Sequence, residues 1–311
     1  MNEVRAFAPA TVANVAAGFD VLGFALDSPG DELVATFSEK PGVTISRITG
    51  DDGRLPLDSH KNTAGVSVYA LLKYLGETRG IDLRLEKKMP LGSGLGSSAA
   101  SAVVAVVAVN ELLGRPLSKR DLLPFALEGE RIACGSAHAD NAAPSLLGGF
   151  VLIRSYTPLD VIPLPTPEKL YATVIHPHIE IQTKDARGIL KQQVSLSNAI
   201  TQWGNTAGLV AGILMSDYGL ISRSLQDVIV EPIRSILIPK FYELKKAALD
   251  AGALGCSISG SGPSLFALTD SRDTAQKVAN AMTLVLDNIG IGSDVFISKV
   301  NQEGAKILSL A

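Results

Sequence analysis

Between Pro90 and Ala100 the chain reads Pro90-Leu91-Gly92-Ser93-Gly94-Leu95-Gly96-Ser97-Ser98-Ala99-Ala100, and a run dominated by alanine and valine follows as far as Leu113. Three glycines directly before a long apolar helix restrict what this segment can be. Their bare backbone lets N–H groups converge where the helix dipole is positive, which makes a seat for phosphate. The spacing fails the P-loop pattern, because Ser97 rather than lysine follows Gly96. It also fails the dinucleotide fingerprint, because the third glycine of that pattern is absent and the loop lies far from the first strand. A flexible loop with a serine cap on a buried helix accounts for the glycines alone equally well.

The surrounding elements are mixed. Glu3 to Ala8 and Asp20 to Leu26 read as strands around a small-residue loop from Pro9 to Gly18. Val34 to Phe37, Val43 to Ile48 and Asp82 to Lys88 read as further strands, while Asn62 to Leu75 has helical spacing closed by Gly76. Ser98 to Leu113 is a helix ending at Gly114. Prolines 158, 163, 165 and 167 exclude a helix from Tyr156 to Pro167 and mark a boundary, dividing the chain into 1–165 and 166–311. Beyond it come a strand at Leu170 to His176 and helices within Thr183 to Leu225 and at Pro239 to Ala251. Cys256 to Thr269 reads as two strands around Gly260 to Pro263, Thr274 to Asn288 as a helix and Asp294 to Val300 as a strand. Strands and helices without strict alternation predict an α+β fold rather than a doubly wound parallel sheet.

Composition narrows the class of partner. A chain of 311 residues, 46% apolar and 19% charged, has the length of two domains and enough apolar surface for a large core. A net charge of -3 gives no electrostatic reason to bind nucleic acid or an anionic membrane, so small molecules are the expected partners. The most apolar run, Ala99 to Val109, is too short to cross a bilayer. Cys134 and Cys256 allow one disulfide at most, and Met1 to Ala10 lacks the apolar core of a signal peptide, so a reducing cytoplasm is the expected compartment. His176 and His178 share a strand face without acidic or cysteine companions at ligand spacing, which does not point to zinc.

Taken whole, P-x-x-x-G-L-G-S-S-A-A resembles the central phosphate-binding motif of the GHMP kinase superfamily. Pro9-Ala10-Thr11-Val12-Ala13-Asn14 with Gly18-Phe19-Asp20, and Gly252 to Gly255 with Ser259-Gly260-Ser261-Gly262-Pro263, agree with it, so the likeness spans almost the whole chain. Gly135 to Pro144, followed by Gly148-Gly149, is similar to the homoserine kinase branch. The resemblance implies an N-terminal ribosomal protein S5 domain 2-like fold that binds nucleotide (1–165) and a ferredoxin-like C-terminal domain (166–311), in a homodimer. It implies ATP as phosphoryl donor, Mg²⁺, and L-homoserine as acceptor on the way to threonine. Another small alcohol such as mevalonate, or a member that binds metabolites without catalysis, are the alternatives.

Site residues follow from the same likeness. Pro90 to Ala100 and Ser261 are expected at the nucleotide phosphates. Ser98 and Glu130 are expected on Mg²⁺, with Glu128 competing for the second place. Asn62 is expected at the adenine or as a helix cap, and Lys87 at the nucleotide or in solvent. Asn14, Asp20, His138, Asn141, Thr183, Arg187 and Arg234 form the expected acceptor pocket, with the two guanidinium groups suited to a carboxylate. Asn141 stands where mevalonate kinases carry an acidic general base and cannot itself take a proton, so transfer by positioning is expected. Val15-Ala16-Ala17 replaces the family's usual Leu-Gly-Pro, a departure bearing on the shape of the acceptor loop.

Overall fold

The structure is a computed structural model that describes residues 2–135 and 137–311, with the backbone alone at 132–134. Ser136 of the Gly135–Pro144 motif lies outside the described residues. The first sheet is built from β1 (Glu3–Ala13), β2 (Leu22–Ser38), β3 (Val43–Thr49), β4 (Gly80–Glu86), β5 (Phe150–Tyr156) and β6 (Leu159–Leu164). The second contains β7 (Tyr171–Pro177), β8 (Gly255–Ile258), β9 (Leu265–Thr269) and β10 (Ser293–Lys299). A final strand, β11 (Lys306–Leu310), returns to pair with β1, giving the first sheet the order β11-β1-β2-β4-β3 with β5 on β2 and β6 beyond it. Among the described residues only β3 and β4 pair in parallel there, and the mainly antiparallel sheet fits an α+β fold. The second sheet has the order β10-β7-β9-β8, antiparallel throughout, which is the ferredoxin-like arrangement.

Helices α1 (Thr63–Leu75), α2 (Ser97–Leu112), α3 (Leu123–Cys134) and α4 (Ala139–Leu147) pack on the first sheet. α1 starts because the Asn62 side chain accepts from the Ala64 amide at 3.0 Å, and it stops at Gly76, whose φ of 65° favours glycine. α2 is apolar all round, and every residue from Ala99 to Leu112 is buried, so this helix forms the centre of the core. The second half adds α5 (Thr183–Gly188), α6 (Leu196–Met215), α7 (Tyr218–Ser224), α8 (Glu231–Arg234), α9 (Phe241–Asp250) and α10 (Arg272–Asp287). Phe241 and Leu244 of α9 and Val278, Met282 and Leu286 of α10 meet Ile175 and Leu265 of the second sheet in a smaller core.

Two segments depart from the sequence reading. β1 continues through Pro9 to Ala13, where a loop was expected, and its pairing with β2 shifts register between Pro9 and Thr11, accommodating the missing proline donor. The proline-rich stretch is largely a hairpin of β5 and β6; Pro163 is tolerated because β6 is an edge strand. β6 ends at Leu164 and β7 begins at Tyr171.

Candidate active site

One cleft gathers residues from both halves of the chain. It is lined by Asn14, Asp20, Asn62, Lys87, Ser98, Glu130, His138, Asn141, Thr183, Arg187, Arg234 and Ser261, together with Leu91–Gly94 and Gly96–Ser97. Leu95, Ala99 and Ala100 of the glycine segment have no exposure and belong to the core, and neither they nor Pro90 line the cleft.

The glycine loop is clamped from behind by the turn between β8 and β9. Ser259 Oγ donates to the Gly94 carbonyl at 2.8 Å, and the Ser264 amide donates to the Ser93 carbonyl at 3.3 Å. Gly94 has φ of 78°, and a Cβ there would collide with the Ser259 carbonyl oxygen. Gly96 begins α2 in the left-handed region with no side-chain cap, and a Cβ on it would strike Thr11 Oγ1 and Asn141 Oδ1. The first-turn amides of α2 have no carbonyl one turn back to bond, so this end of the helix presents donors to the cleft.

Glu130, on α3, is 2% exposed, and its Oε1 has no hydrogen-bond partner. Burial pushes its carboxyl up to about 7, against the pull of the neighbouring Ser98 hydroxyl and of Lys87. Glu128 pairs instead with Arg131 on the surface, at 2.6 Å. A buried, half-satisfied carboxylate beside a hydroxyl at the mouth of a phosphate loop is a fitting donor set for a hard divalent cation, the other ligands being phosphate oxygens and water.

Lys87 and Asn62 line the cleft but bond within the protein, so Lys87 is not in solvent and Asn62 is the helix cap. Lys87 is buried, and its ammonium is committed to Asp31, the Ser97 carbonyl and Ser101 Oγ, the last two at 2.8 Å. It braces the start of α2 from below, since a buried ammonium requires a full set of acceptors. Asn62 also spends its side chain locally: beyond capping α1 it donates to the Pro56 carbonyl at 3.0 Å.

At the other end of the cleft the loop from Asn14 to Asp20 folds back tightly, with positive φ at Asn14 (71°), Val15 (42°), Ala16 (57°) and Asp20 (60°). The loop persists because it is held on every side. Asn14 Nδ2 donates to the Gly260 carbonyl at 2.7 Å, while Asn14 Oδ1 accepts from the Asp20 amide at 3.0 Å. Arg187, on α5, pairs with the Asp20 carboxylate. Arg234, on α8, is 3% exposed and donates to the carbonyls of Ala186 (3.1 Å) and Gly260 (3.0 Å). Burial and then the nearby Arg187 push Arg234 down to about 10, still far above neutrality. Both guanidinium groups lie over the Phe19 ring, at 5.5 Å for Arg187 and 5.1 Å for Arg234. Thr183 Oγ1 lies 3.2 Å from Ser261 Oγ, linking this end to the glycine-rich turn. His138 precedes α4 and is buried, which lowers its pKa, as Arg187 does to a lesser degree.

Asn141 Oδ1 accepts from Thr11 Oγ1 at 2.8 Å, fixing its carboxamide between β1 and α4. Its neighbour Asp140 is the residue that sequence reasoning missed. Asp140 lines the cleft, is 2% exposed, and has an Oδ1 without a partner. Burial and then the Asp20 charge push its carboxyl up to about 7. An acid in the first turn of a helix rich in alanine and leucine was the available signal.

The chain matches the models of the GHMP kinases N terminal domain over residues 62–149 and the GHMP kinases C terminal domain over residues 209–288. It is 55% identical to a homoserine kinase of Chlorobium phaeovibrioides, covering 99% of this chain and 100% of that one. The crystal structure of a homoserine kinase from Cytophaga hutchinsonii is 64% identical and superposes with a TM-score of 0.97, over 99% of this chain and 98% of the other. An L. major mevalonate kinase solved with R-mevalonate shares the fold at 14% identity, with a TM-score of 0.71 over 94% of this chain and 95% of that one. A phosphate cleft clamped by the β8–β9 turn, matched family models at both ends and full-length likeness to several relatives lead to one assignment: the chain belongs to the homoserine kinase family of the GHMP kinase superfamily.

Proposed function

We propose that this protein transfers the terminal phosphoryl group of ATP to the side-chain hydroxyl of L-homoserine, giving O-phospho-L-homoserine and ADP, a step in the biosynthesis of threonine. The observation that carries this reading is the convergence of Asp20, Arg187 and Arg234 at the end of a cleft whose other end is the glycine loop. An amino-acid acceptor needs a cationic fork for its carboxylate and an anion for its ammonium, and this pocket holds both. Mevalonate has a carboxylate to draw on Arg187 but no ammonium to offer Asp20 in exchange.

In this reading the triphosphate lies on the amides of Gly92–Ser98, and the adenine lies toward Arg54, Pro56 and Asn62, with 1–165 as the nucleotide-binding division and 166–311 as the C-terminal one. Ser98 and Glu130 hold Mg²⁺, which when bound neutralises charge on the phosphate oxygens. Asn141, fixed by Thr11, positions the acceptor hydroxyl, with Asn14, His138 and Thr183 around it. Asn141 cannot take the hydroxyl proton; the buried carboxylate of Asp140 beside it has the basicity for that task near neutral pH. Most of the rate enhancement is then positioning and charge stabilisation of the transferred group.

A homodimer in the cytoplasm fits the rest. The face of α6 formed by Leu196, Ile200, Trp203, Ala207, Val210 and Leu214 follows alternating four- and three-residue steps, and the helix has no charged residue. Trp203 on that face is 63% exposed, which supports burial against a second copy. ADP release measured with homoserine, mevalonate and sugars tests the main reading. Homoserine is expected to be the preferred acceptor; robust turnover of mevalonate with none of homoserine would overturn it.

A further inference from the structure

α6 runs behind the acceptor loop, and its residue Gln202 is buried. The Gln202 carboxamide is used at both ends. Nε2 donates to the Ala17 carbonyl and to Asp227 Oδ1, each at 3.0 Å, and Oε1 accepts from the Val228 amide at 3.0 Å. Asp227 in turn accepts from the amides of Ile229 (2.8 Å), Val230 (2.9 Å) and Glu231 (2.9 Å). It thereby seats the start of α8, the short helix that ends in Arg234.

One side chain therefore joins two parts of the pocket that lie far apart in sequence: the loop bearing Asp20 and the short helix bearing Arg234. The chemistry requires a primary amide, which alone among side chains of this length donates twice and accepts at one place. Thr206, one turn along α6, also donates to the Ala17 carbonyl, at 2.8 Å, but its other bond goes back to the Gln202 carbonyl of its own helix. Thr206 thus supports the loop without linking it to α8.

We infer that Gln202 is a positioning residue for the acceptor: it fixes the separation between Asp20 and Arg234, and so sets which amino-acid zwitterion fits between them. Among the described residues, the hydrogen bonds of the Gln202 side chain go to Ala17, Asp227 and Val228, none of them in the glycine loop or among the residues proposed for Mg²⁺. Its effect falls on the acceptor alone, because the anionic and cationic halves of that pocket are carried by separate segments that Gln202 ties together through Ala17 and Asp227. The inference rests on the reading that homoserine occupies this pocket.

The test is steady-state kinetics of the full-length protein with homoserine and ATP varied separately, on wild type, Gln202→Met, Gln202→Glu and Thr206→Val. Gln202→Met keeps the volume and removes every polar bond; Gln202→Glu keeps the shape, removes the Nε2 donors and faces Asp227 with a second carboxylate. Both are expected to raise the homoserine KM about tenfold or more, with the ATP KM within about twofold of wild type, whereas Thr206→Val shifts the homoserine KM by less than about threefold. Adding Asp227→Asn to Gln202→Met is expected to give less than the product of the two separate effects, because both break one link. A folded Gln202 variant with an unchanged homoserine KM, or with both KM values raised alike, would overturn the inference, as would effects of Gln202 and Asp227 that multiply. Should Gln202→Met not fold, Gln202→Glu carries the same decision. A wild-type protein inactive on homoserine would overturn the substrate reading instead, so the two failures are distinct.

Discussion

Arg187 grips both carboxylate oxygens of Asp20, with Nη2 to Oδ1 at 2.8 Å and Nη1 to Oδ2 at 3.1 Å. The acceptor pocket thus carries an internal ion pair of the same two charges that an amino-acid zwitterion presents. A substrate carboxylate can take over part of the Arg187 fork while its ammonium engages Asp20, so charge remains paired throughout entry. Exchange of this kind avoids leaving a desolvated ion alone, which is the costly outcome.

Arg187→Leu and Arg234→Leu are accordingly expected to raise the homoserine KM by at least about tenfold each, with the ATP KM within about twofold. Varying each substrate in an ADP-release assay checks this. An unchanged homoserine KM in both variants would remove the arginines from the pocket.

Glu130→Gln is expected to lower kcat by about a hundredfold and to raise the Mg²⁺ concentration needed for half-maximal rate, since the neutral amide keeps the shape but not the charge. A Mg²⁺ titration at saturating ATP reads both effects. Equal Mg²⁺ dependence in wild type and variant would argue against a metal at this carboxylate.

Asp140 makes two pH predictions. Its carboxyl ionises near 3.8 when unfolded and at about 7 when folded, so between these values the unfolded chain has lost the proton and the folded one keeps it. Stability from this group is full below the lower value and is lost as pH rises through the upper one, by roughly 4 kcal/mol at most. Ligand-free protein should therefore melt at lower temperature at pH 8 than at pH 5.5, and Asp140→Asn should shrink that difference. Activity should move the opposite way, rising with pH across about 7 as the proton acceptor becomes available, and Asp140→Asn should abolish that limb. A variant that retains the wild-type pH–rate profile would leave Asp140 without the proton.

Gly94→Ala tests the clamp on the phosphate loop. The residue's positive φ and the carbonyl of Ser259 both oppose a Cβ, so a loss of about 1 to 3 kcal/mol in stability and a much weakened affinity for ATP are expected. Thermal melting and nucleotide titration together measure it. Gly76→Ala is the control, because its positive φ carries the same backbone penalty but nothing lies within 4 Å of a Cβ there.

The elements that were legible in the sequence are those with local punctuation. α1 has a side-chain cap at Asn62 and a left-handed stop at Gly76, and α2 follows three glycines. β1 beyond Pro9 was not legible, because a proline reads as a break unless the partner strand's shifted register is known. β11 was missed for the same kind of reason: its pairing with β1 is a long-range fact that a short run such as Lys306–Leu310 does not announce. Within the site, motif residues were named by resemblance; most of them line one cleft, while Pro90, Leu95, Ala99 and Ala100 do not. The burial of Lys87 was not legible because its partner Asp31 comes from the neighbouring strand β2, a pairing 56 residues away in sequence, and Asp140 was missed because burial, not residue type, gives it its chemistry. At the Val15-Ala16-Ala17 departure, the Ala17 carbonyl is held from outside the loop by Gln202 and Thr206.

The bond from Ser259 to the Gly94 carbonyl also joins the two halves of the cleft. It stitches the floor of the nucleotide end to a strand turn of the opposite half, so the two sheets cannot part like jaws without stranding a hydroxyl in the interior. A nucleotide would then have to enter past the outer lip of the cleft, where Arg54, Pro56 and Lys61 line it.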